Sequence, residues 1–253
     1  MSDAVRRIAM WSGPRNLSTA MMRSFGARAD CAVSDEPFYA AYLKATGLDH
    51  PMREAVLASQ SQDAAQVAAD MVGPAPGGRP VWYQKHMSHH MIDGFPLGWL
   101  EGVTNVFLLR SPEQVLASYV QKREDVSLAD IGFGGQARLF ERVAEQTGQA
   151  PVVIEAEDVR RDPRGTLSVL CAAIGLPFDP AMLHWAPGQH ATDGVWAPHW
   201  YGAIFNSTEF APPDDNKVDL PEHLRAIALA ARPYYERMRA FKIGGPASAL
   251  GLC

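Results

Sequence analysis

A loop of small, polar and cationic residues stands where an apolar run gives way to a helical one. Ser12, Gly13, Pro14, Arg15, Asn16, Leu17, Ser18 and Thr19 lie between IAMW and AMMRSF. Unpaired backbone N–H groups at a helix start, the positive end of its dipole, two hydroxyls and an arginine are the ingredients of a phosphate or sulfate site. The GK[ST] ending of a Walker A sequence is missing, which weakens a nucleoside-triphosphate reading. Taken alone, the same residues also describe an N-capped helix after a turn.

Other chemistry-bearing residues are spread along the chain. Arg110 follows the run NVFLL, and Ser118 comes eight residues later in a helical stretch. A guanidinium offers a planar fork of donors, and a hydroxyl on the helix that follows can serve the same dianion. Singly, each has a plain explanation: a surface arginine, and a serine bonded to its own backbone. Asp35 and Glu36 are adjacent carboxylates beside Phe38 and Tyr39, where burial would raise a carboxyl pKa toward a general base's range. The segment WYQKHMSHHM carries Lys85, His86, His89 and His90. Its HxxHH pattern lacks a carboxylate at zinc-ligand spacing, so no metal site is expected.

These residues need elements to hold them. Apolar runs bounded by breakers predict strands at 8–11, 81–83, 105–109 and 151–154, with CAV near 31 as a fifth. Helical spacing covers 18–28, 53–72, 112–123, 134–147, 163–174 and 221–241. Strands alternating with helices imply a mainly parallel sheet covered on both faces. The stretch 184–216 is different, with three tryptophans' worth of aromatic bulk (Trp185, Trp196, Trp200), three histidines and four prolines but little periodicity. Such a stretch is expected to be ordered and functional, with Trp196, His199, Trp200 and Tyr201 closing an acceptor pocket or forming a satellite cluster under a loop.

Composition narrows the class. The chain has 253 residues, 47% hydrophobic and 20% charged, so a disordered or fibrous polypeptide is excluded. With 23 basic and 28 acidic residues the net charge is -5, and no global field draws in nucleic acid or an anionic membrane. Cys31, Cys171 and Cys253 are odd in number and match no metal spacing, which suits a reducing cytoplasm. No segment reaches a membrane-spanning length of apolar residues. A single domain over 1–253 is expected.

Three segments together resemble the sulfotransferase family that uses 3′-phosphoadenosine 5′-phosphosulfate (PAPS), over about residues 8–241. Pro14-Arg15-Asn16-Leu17-Ser18-Thr19 is similar to that family's PxSGTT loop, with Leu17 in place of the glycine. LLRSPEQVLASYV resembles its arginine–serine pair, and VVIEAEDVRRDPRGTLSVLCAAIGLPFDPAML its strand, acidic turn and helix. The resemblance implies a three-layer αβα fold of the P-loop nucleotide-binding type. It also implies transfer of the sulfuryl group from PAPS to a hydroxyl or amine of a small or modest-sized acceptor, leaving adenosine 3′,5′-diphosphate.

Residue by residue, the resemblance places Arg15, Asn16, Leu17, Ser18 and Thr19 on the nucleotide, Arg15 against the leaving phosphate, and Arg110 with Ser118 on the 3′-phosphate. Lys85 would bridge sulfuryl and phosphate oxygens. Glu36 follows Thr19 by seventeen residues, as does the catalytic glutamate of the protein-tyrosine branch, and is the first choice of base. His89 is the second, because the small-molecule branch uses a histidine after its lysine-bearing strand; the register of His86, His89 and His90 does not match that branch. Ser207 and Lys217 resemble residues completing the nucleotide site of the protein-tyrosine branch. Phe38, Tyr39, His86, His90, Trp196, His199 and Trp200 are candidates for the acceptor pocket, and Glu157, Asp158, Asp162 and Pro163 for structural roles. Two readings compete: a P-loop phosphotransferase or kinase, and a catalytically silent nucleotide-binding protein of the same fold.

Overall fold

Parallel strands buried on both faces read as near-continuous apolar runs, as TNVFLL (Thr104–Leu109) does among the five strands of this chain. They are β1 (Arg6–Ser12), β2 (Cys31–Asp35), β3 (Val81–Met87), β4 (Thr104–Leu109) and β5 (Val152–Glu155). The computed structural model describes residues 5–120, 126–213 and 218–244. The strands form one sheet in the order β2-β3-β1-β4-β5. β2 pairs parallel to β3 from Cys31 opposite Val81 to Asp35 opposite Lys85. β4 pairs parallel to β5 from Val106 opposite Val152 to Leu109 opposite Glu155. Helices cover the sheet on both sides, giving the three-layer αβα arrangement that the alternating pattern implied.

The residues group into two compact units, each assembled from separate stretches. The first comprises 1–10, 18–105 and 179–210. It holds β2, β3, α1 (Ser18–Gly26), α2 (Tyr39–Thr46), α3 (Arg53–Ser59), α4 (Ala64–Met71), α9 (Ala197–Trp200) and α10 (Gly202–Phe205). Phe25 of α1 stacks on Tyr83 of β3 with centroids 4.5 Å apart. Arg23 grips Asp193 through both terminal guanidinium nitrogens, Nη1 at 2.6 Å and Nη2 at 2.7 Å, and both side chains are buried. That pair anchors the aperiodic 184–210 stretch to α1. Within the stretch, Trp185 N–H donates to Thr208 and Gly188 N–H to Phe205, and the Trp185 and Phe210 rings meet edge-on at 5.1 Å.

The second unit comprises 11–17, 106–178 and 211–253. It holds β4, β5, α5 (Pro112–Tyr119), α6 (Phe133–Thr147), α7 (Ala156–Arg161), α8 (Pro163–Ala173) and α11 (Glu222–Arg239). Phe107 of β4 meets Phe140 of α6 at 5.3 Å. Asp162 caps α8 by accepting the Gly165 N–H at 2.8 Å, and Pro163 occupies the first turn, where its missing N–H costs nothing. Glu155, at the end of β5, accepts from Tyr235, from Arg239 at 3.2 Å and from Lys242 at 2.8 Å, fastening α11 and its C-terminal extension to the strand.

The expected elements shift in instructive places. The helix expected over 53–72 is two, because Asp63 accepts the N–H groups of Ala65 and Gln66 and starts α4 afresh. The strand expected at 81–83 runs on to Met87, with all seven residues buried, including Gln84, Lys85 and His86. Helix α2 has no counterpart in the sequence reading; it ends on Gly47 at φ 69°, the left-handed conformation that only glycine adopts cheaply.

Candidate active site

In the second unit, the loop after β1 is built around two left-handed residues. Arg15 lies at φ 63° and Leu17 at φ 69°. Leu17 stands where the sequence comparison places a glycine, and it adopts the conformation a glycine would supply. For a leucine this costs about 1–2 kcal/mol. Alternating right- and left-handed residues turn successive N–H groups toward one concavity, the nest that receives an oxyanion. Asn16 is buried and ties the loop to β4 by donating from Nδ2 to the Leu108 carbonyl at 3.2 Å. Gln136 of α6 donates from Nε2 to the same carbonyl at 3.1 Å and to that of Trp11 at 3.3 Å.

Three of the expected phosphate ligands meet at this loop. Arg15 Nε donates to Ser118 Oγ at 2.9 Å. Arg110, just past β4, donates from Nη1 to the carbonyl of Arg15 at 3.0 Å. Its Nε also lies 3.7 Å from Glu157 Oε1. Burial lowers the Arg15 pKa, the Tyr119 phenol opposing the shift; at an arginine's starting value the charge remains. Ser18 and Thr19 open α1, Ser18 buried and Thr19 half-buried, and they group with the first unit.

In the first unit, the parallel register does the positioning. Asp35 ends β2 opposite Lys85 of β3, and Glu36 follows at φ 45°, a left-handed conformation uncommon for a non-glycine residue. Lys85 Nζ donates to Asp35 Oδ1 at 2.8 Å, to the Tyr201 hydroxyl at 2.8 Å and to Glu36 Oε1. The Tyr201 hydroxyl lies 2.9 and 2.8 Å from the two Asp35 oxygens and accepts from Trp196 Nε1 at 3.1 Å. Gly194 N–H donates to Asp35 Oδ2 at 3.0 Å. A side chain at Gly194 would collide with the Trp196 ring, so this donor requires glycine. Gln60 Nε2 donates to the carbonyls of Asp35 and Glu36 at 3.3 and 3.2 Å, pinning the strained corner.

Protonation follows from burial and charge. Desolvation raises the Glu36 pKa, and the neighbouring Asp35 charge adds to it against the pull of Lys85. For Lys85 desolvation acts downward, but Asp35 and Glu36 outweigh it and hold the ammonium well above its ordinary value. His86 is lowered to about 3 by burial and by Lys85. His90 is pushed well below its usual range by burial first, then by His89 and Lys85. A histidine that resists protonation so strongly is a poor proton acceptor at neutral pH, whereas a carboxyl raised from its usual range is a better one.

The remaining candidates sort around this cluster. His90 lies between Tyr39 and Tyr42, with centroids at 4.6 and 4.8 Å, and its Nε2 is 3.9 Å from Glu36 Oε2. His89 sits edge-on to His90 at 4.5 Å and to Tyr42 at 5.7 Å. His86 packs with Phe38 and Trp99 at 5.9 and 5.3 Å. Trp196 meets Tyr39 edge-on at 5.1 Å, while exposed His199 pairs with the Trp200 ring at 4.4 Å. Ser207 Oγ accepts from Trp185 Nε1 at 3.2 Å and donates to the Ile204 carbonyl at 2.9 Å, a turn-fixing arrangement. Lys217 lies outside the described residues. Gln60, Gly194 and the bonding role of Asp35 escaped sequence reading; the strand register that reveals Asp35 is not written in local pattern. Among the described residues, no three His, Cys, Asp or Glu side chains group as metal ligands, and no helix is long and apolar enough to cross a membrane.

Comparison with known proteins adds three findings. A family model described as "Sulfotransferase domain" matches residues 6–242. Two Arabidopsis thaliana proteins, branched-chain-amino-acid aminotransferase-like proteins 1 and 2, are 35% and 36% identical over 92% of this chain, which spans only 41% of their length. Among solved structures, the sulfotransferase domain from the Synechococcus PCC 7002 olefin synthase is similar at a TM-score of 0.59 and 19% identity, covering 92% of this chain and 95% of that one. A sulfotransferase from Alicyclobacillus acidocaldarius is similar at 0.54 and 14%, covering 94% and 95%. At such identities these two likenesses are ones of fold.

Proposed function

The chain belongs to the sulfotransferase domain family, and we propose that it transfers the sulfuryl group of PAPS to a hydroxyl or amine of a small or modest-sized acceptor. The observation that carries this reading is the meeting of Arg15, Arg110 and Ser118 at the loop after β1, with Arg110 bonded to the loop's own backbone. Two guanidinium groups and a hydroxyl suit the phosphates of a nucleotide that carries charge at both its 3′ and 5′ ends. PAPS supplies the activated sulfuryl group, with adenosine 3′,5′-diphosphate as the leaving group.

The chain's residues then divide the work. Arg110 and Ser118 take the 3′-phosphate, and the loop N–H groups with Arg15 take the 5′ end, where negative charge grows as the S–O bond to phosphate breaks. Glu36 accepts the acceptor's proton on its carboxylate as the new bond to sulfur forms. Tyr39, His90 and Trp196 wall the vicinity of that carboxylate with aromatic surface.

Calorimetric titration with adenosine 3′,5′-diphosphate tests the donor assignment before any acceptor is known. Binding of the diphosphate in preference to AMP and to ATP with magnesium, lost on Arg110→Ala, is the expected result. Preference for magnesium-ATP would instead favour a phosphotransferase.

A further inference from the structure

An ammonium has three N–H donors and no more. All three on Lys85 are used inside the first unit, on Asp35 Oδ1, Glu36 Oε1 and the Tyr201 hydroxyl, and the side chain is 1% exposed. A lysine that bridged sulfuryl and phosphate oxygens would have to break one of these buried bonds at every turnover. We infer that Lys85 does not touch the transferring group and is a positioning residue, which with Asp35 and Tyr201 clamps one oxygen of Glu36 and leaves the other to take the acceptor's proton. This rests on the reading of Glu36 as the base of a sulfotransferase.

Every member of the clamp is held by more than one group, Glu36 itself by Lys85 and by the Tyr201 hydroxyl. Asp35 accepts from Lys85, from Tyr201 and from the Gly194 N–H. Tyr201 is held in turn by Trp196 Nε1. Glu36 Oε1 is bound to Lys85, whereas Oε2 faces His90 Nε2 at 3.9 Å, beyond hydrogen-bond distance. The groups around the Glu36 carboxyl are therefore Lys85 on β3, Asp35 on β2, Tyr201 after α9, His90 after β3 and Tyr39 on α2. Only Lys85 among them brings a positive charge, since burial keeps His90 neutral. With Asp35 balancing Lys85, removing the ammonium leaves Glu36 facing an uncompensated carboxylate, and its proton must then leave at higher pH.

The test needs no acceptor. Protein labelled with carbon-13 at glutamate carboxyls is titrated by NMR, Glu36→Gln identifying the Glu36 signal, beside calorimetry with adenosine 3′,5′-diphosphate and PAPS. In Lys85→Met the Glu36 midpoint is expected to rise by about one pH unit or more, a tenfold change in proton affinity, with both nucleotides bound within about threefold of wild type. Tyr201→Phe, a milder change, should raise the midpoint by less and also spare nucleotide binding. A Lys85→Met protein that loses more than about tenfold in nucleotide affinity, or keeps the Glu36 midpoint in place, overturns the inference. If Lys85→Met does not fold, Tyr201→Phe decides on the same two criteria. Failure of the wild-type protein to bind either nucleotide overturns the sulfotransferase reading instead, whatever the carboxyl titration shows.

Discussion

Arg110→Ala should separate the 3′-phosphate from the rest of the nucleotide. The guanidinium side chain is 12% exposed and already spends one N–H on the Arg15 carbonyl, with Glu157 3.7 Å from Nε. It therefore cannot give its whole fork to a phosphate without cost. A hydrogen bond to a charged group contributes roughly 1.5–3 kcal/mol, and the attraction of Glu157 subtracts from a full bidentate grip. A net loss of about 2–3 kcal/mol follows, or roughly 30- to 150-fold in affinity for adenosine 3′,5′-diphosphate. AMP, which lacks the 3′-phosphate, should lose no more than about threefold. The assay is a calorimetric cycle of two ligands against wild type, Arg110→Ala and Arg110→Lys, the lysine variant recovering part of the loss through charge alone. If AMP weakens as much as the diphosphate, Arg110 acts only by holding the loop carbonyl, and the 3′-phosphate assignment is wrong.

Glu157→Gln should tighten the diphosphate several-fold, because it removes a carboxylate beside Arg110 that repels the incoming dianion; the same titration reads this out. Glu36→Gln should lower sulfuryl transfer by about 10²–10⁴-fold while sparing nucleotide binding, and wild-type turnover should fall with acid as the raised Glu36 carboxyl protonates, a limb visible in a pH–rate profile. Leu17→Gly should change stability by no more than about 1 kcal/mol, since relief of left-handed strain offsets the entropy of glycine, whereas Leu17→Val should cost more than that in urea melts. The Glu155 pKa is depressed: burial opposes the shift, but bonds from Lys242 and Tyr235 and the charges of Lys242 and Arg239 prevail. Its contribution is thus present above the ordinary glutamate range and lost as pH falls through the lowered value. Glu155→Gln should cost about 1–3 kcal/mol at pH 7, with a penalty that shrinks in acid when urea midpoints are compared.

The central strands and the turn from β1 into α1 were legible because each rests on local pattern. IAMW followed by Ser12 to Thr19 is a strand, a turn and a helix start in consecutive residues, and even the departure at Leu17 is accommodated by the left-handed φ the position demands. The arginine and serine of the second unit were legible for the same reason, with Arg110 at a strand end and Ser118 in the helix that follows. Segments 53–72 and 39–46 were not, since a single capping aspartate divides the first and the second lacks a distinct apolar stripe.

The charge clamp was half legible, and the missing half is a matter of register. Glu36 and Lys85 carry residue types that suggest chemistry, but 49 residues separate them. Nothing in either segment says that β2 and β3 are neighbours, or that Asp35 falls opposite Lys85 rather than a residue to either side. A slip of one residue would turn Lys85 to the other face of the sheet. The buried polar run Gln84-Lys85-His86 also hides the true end of β3, because apolar periodicity stops at Tyr83 while the strand continues to Met87. The same network that conceals the strand end keeps Lys85 charged inside the protein. Two carboxylates and a phenol assemble around it from separate stretches of chain, with the Gly194 N–H holding Asp35 in turn, and this convergence makes Lys85 a partner of Glu36 before it could become a ligand of anything else.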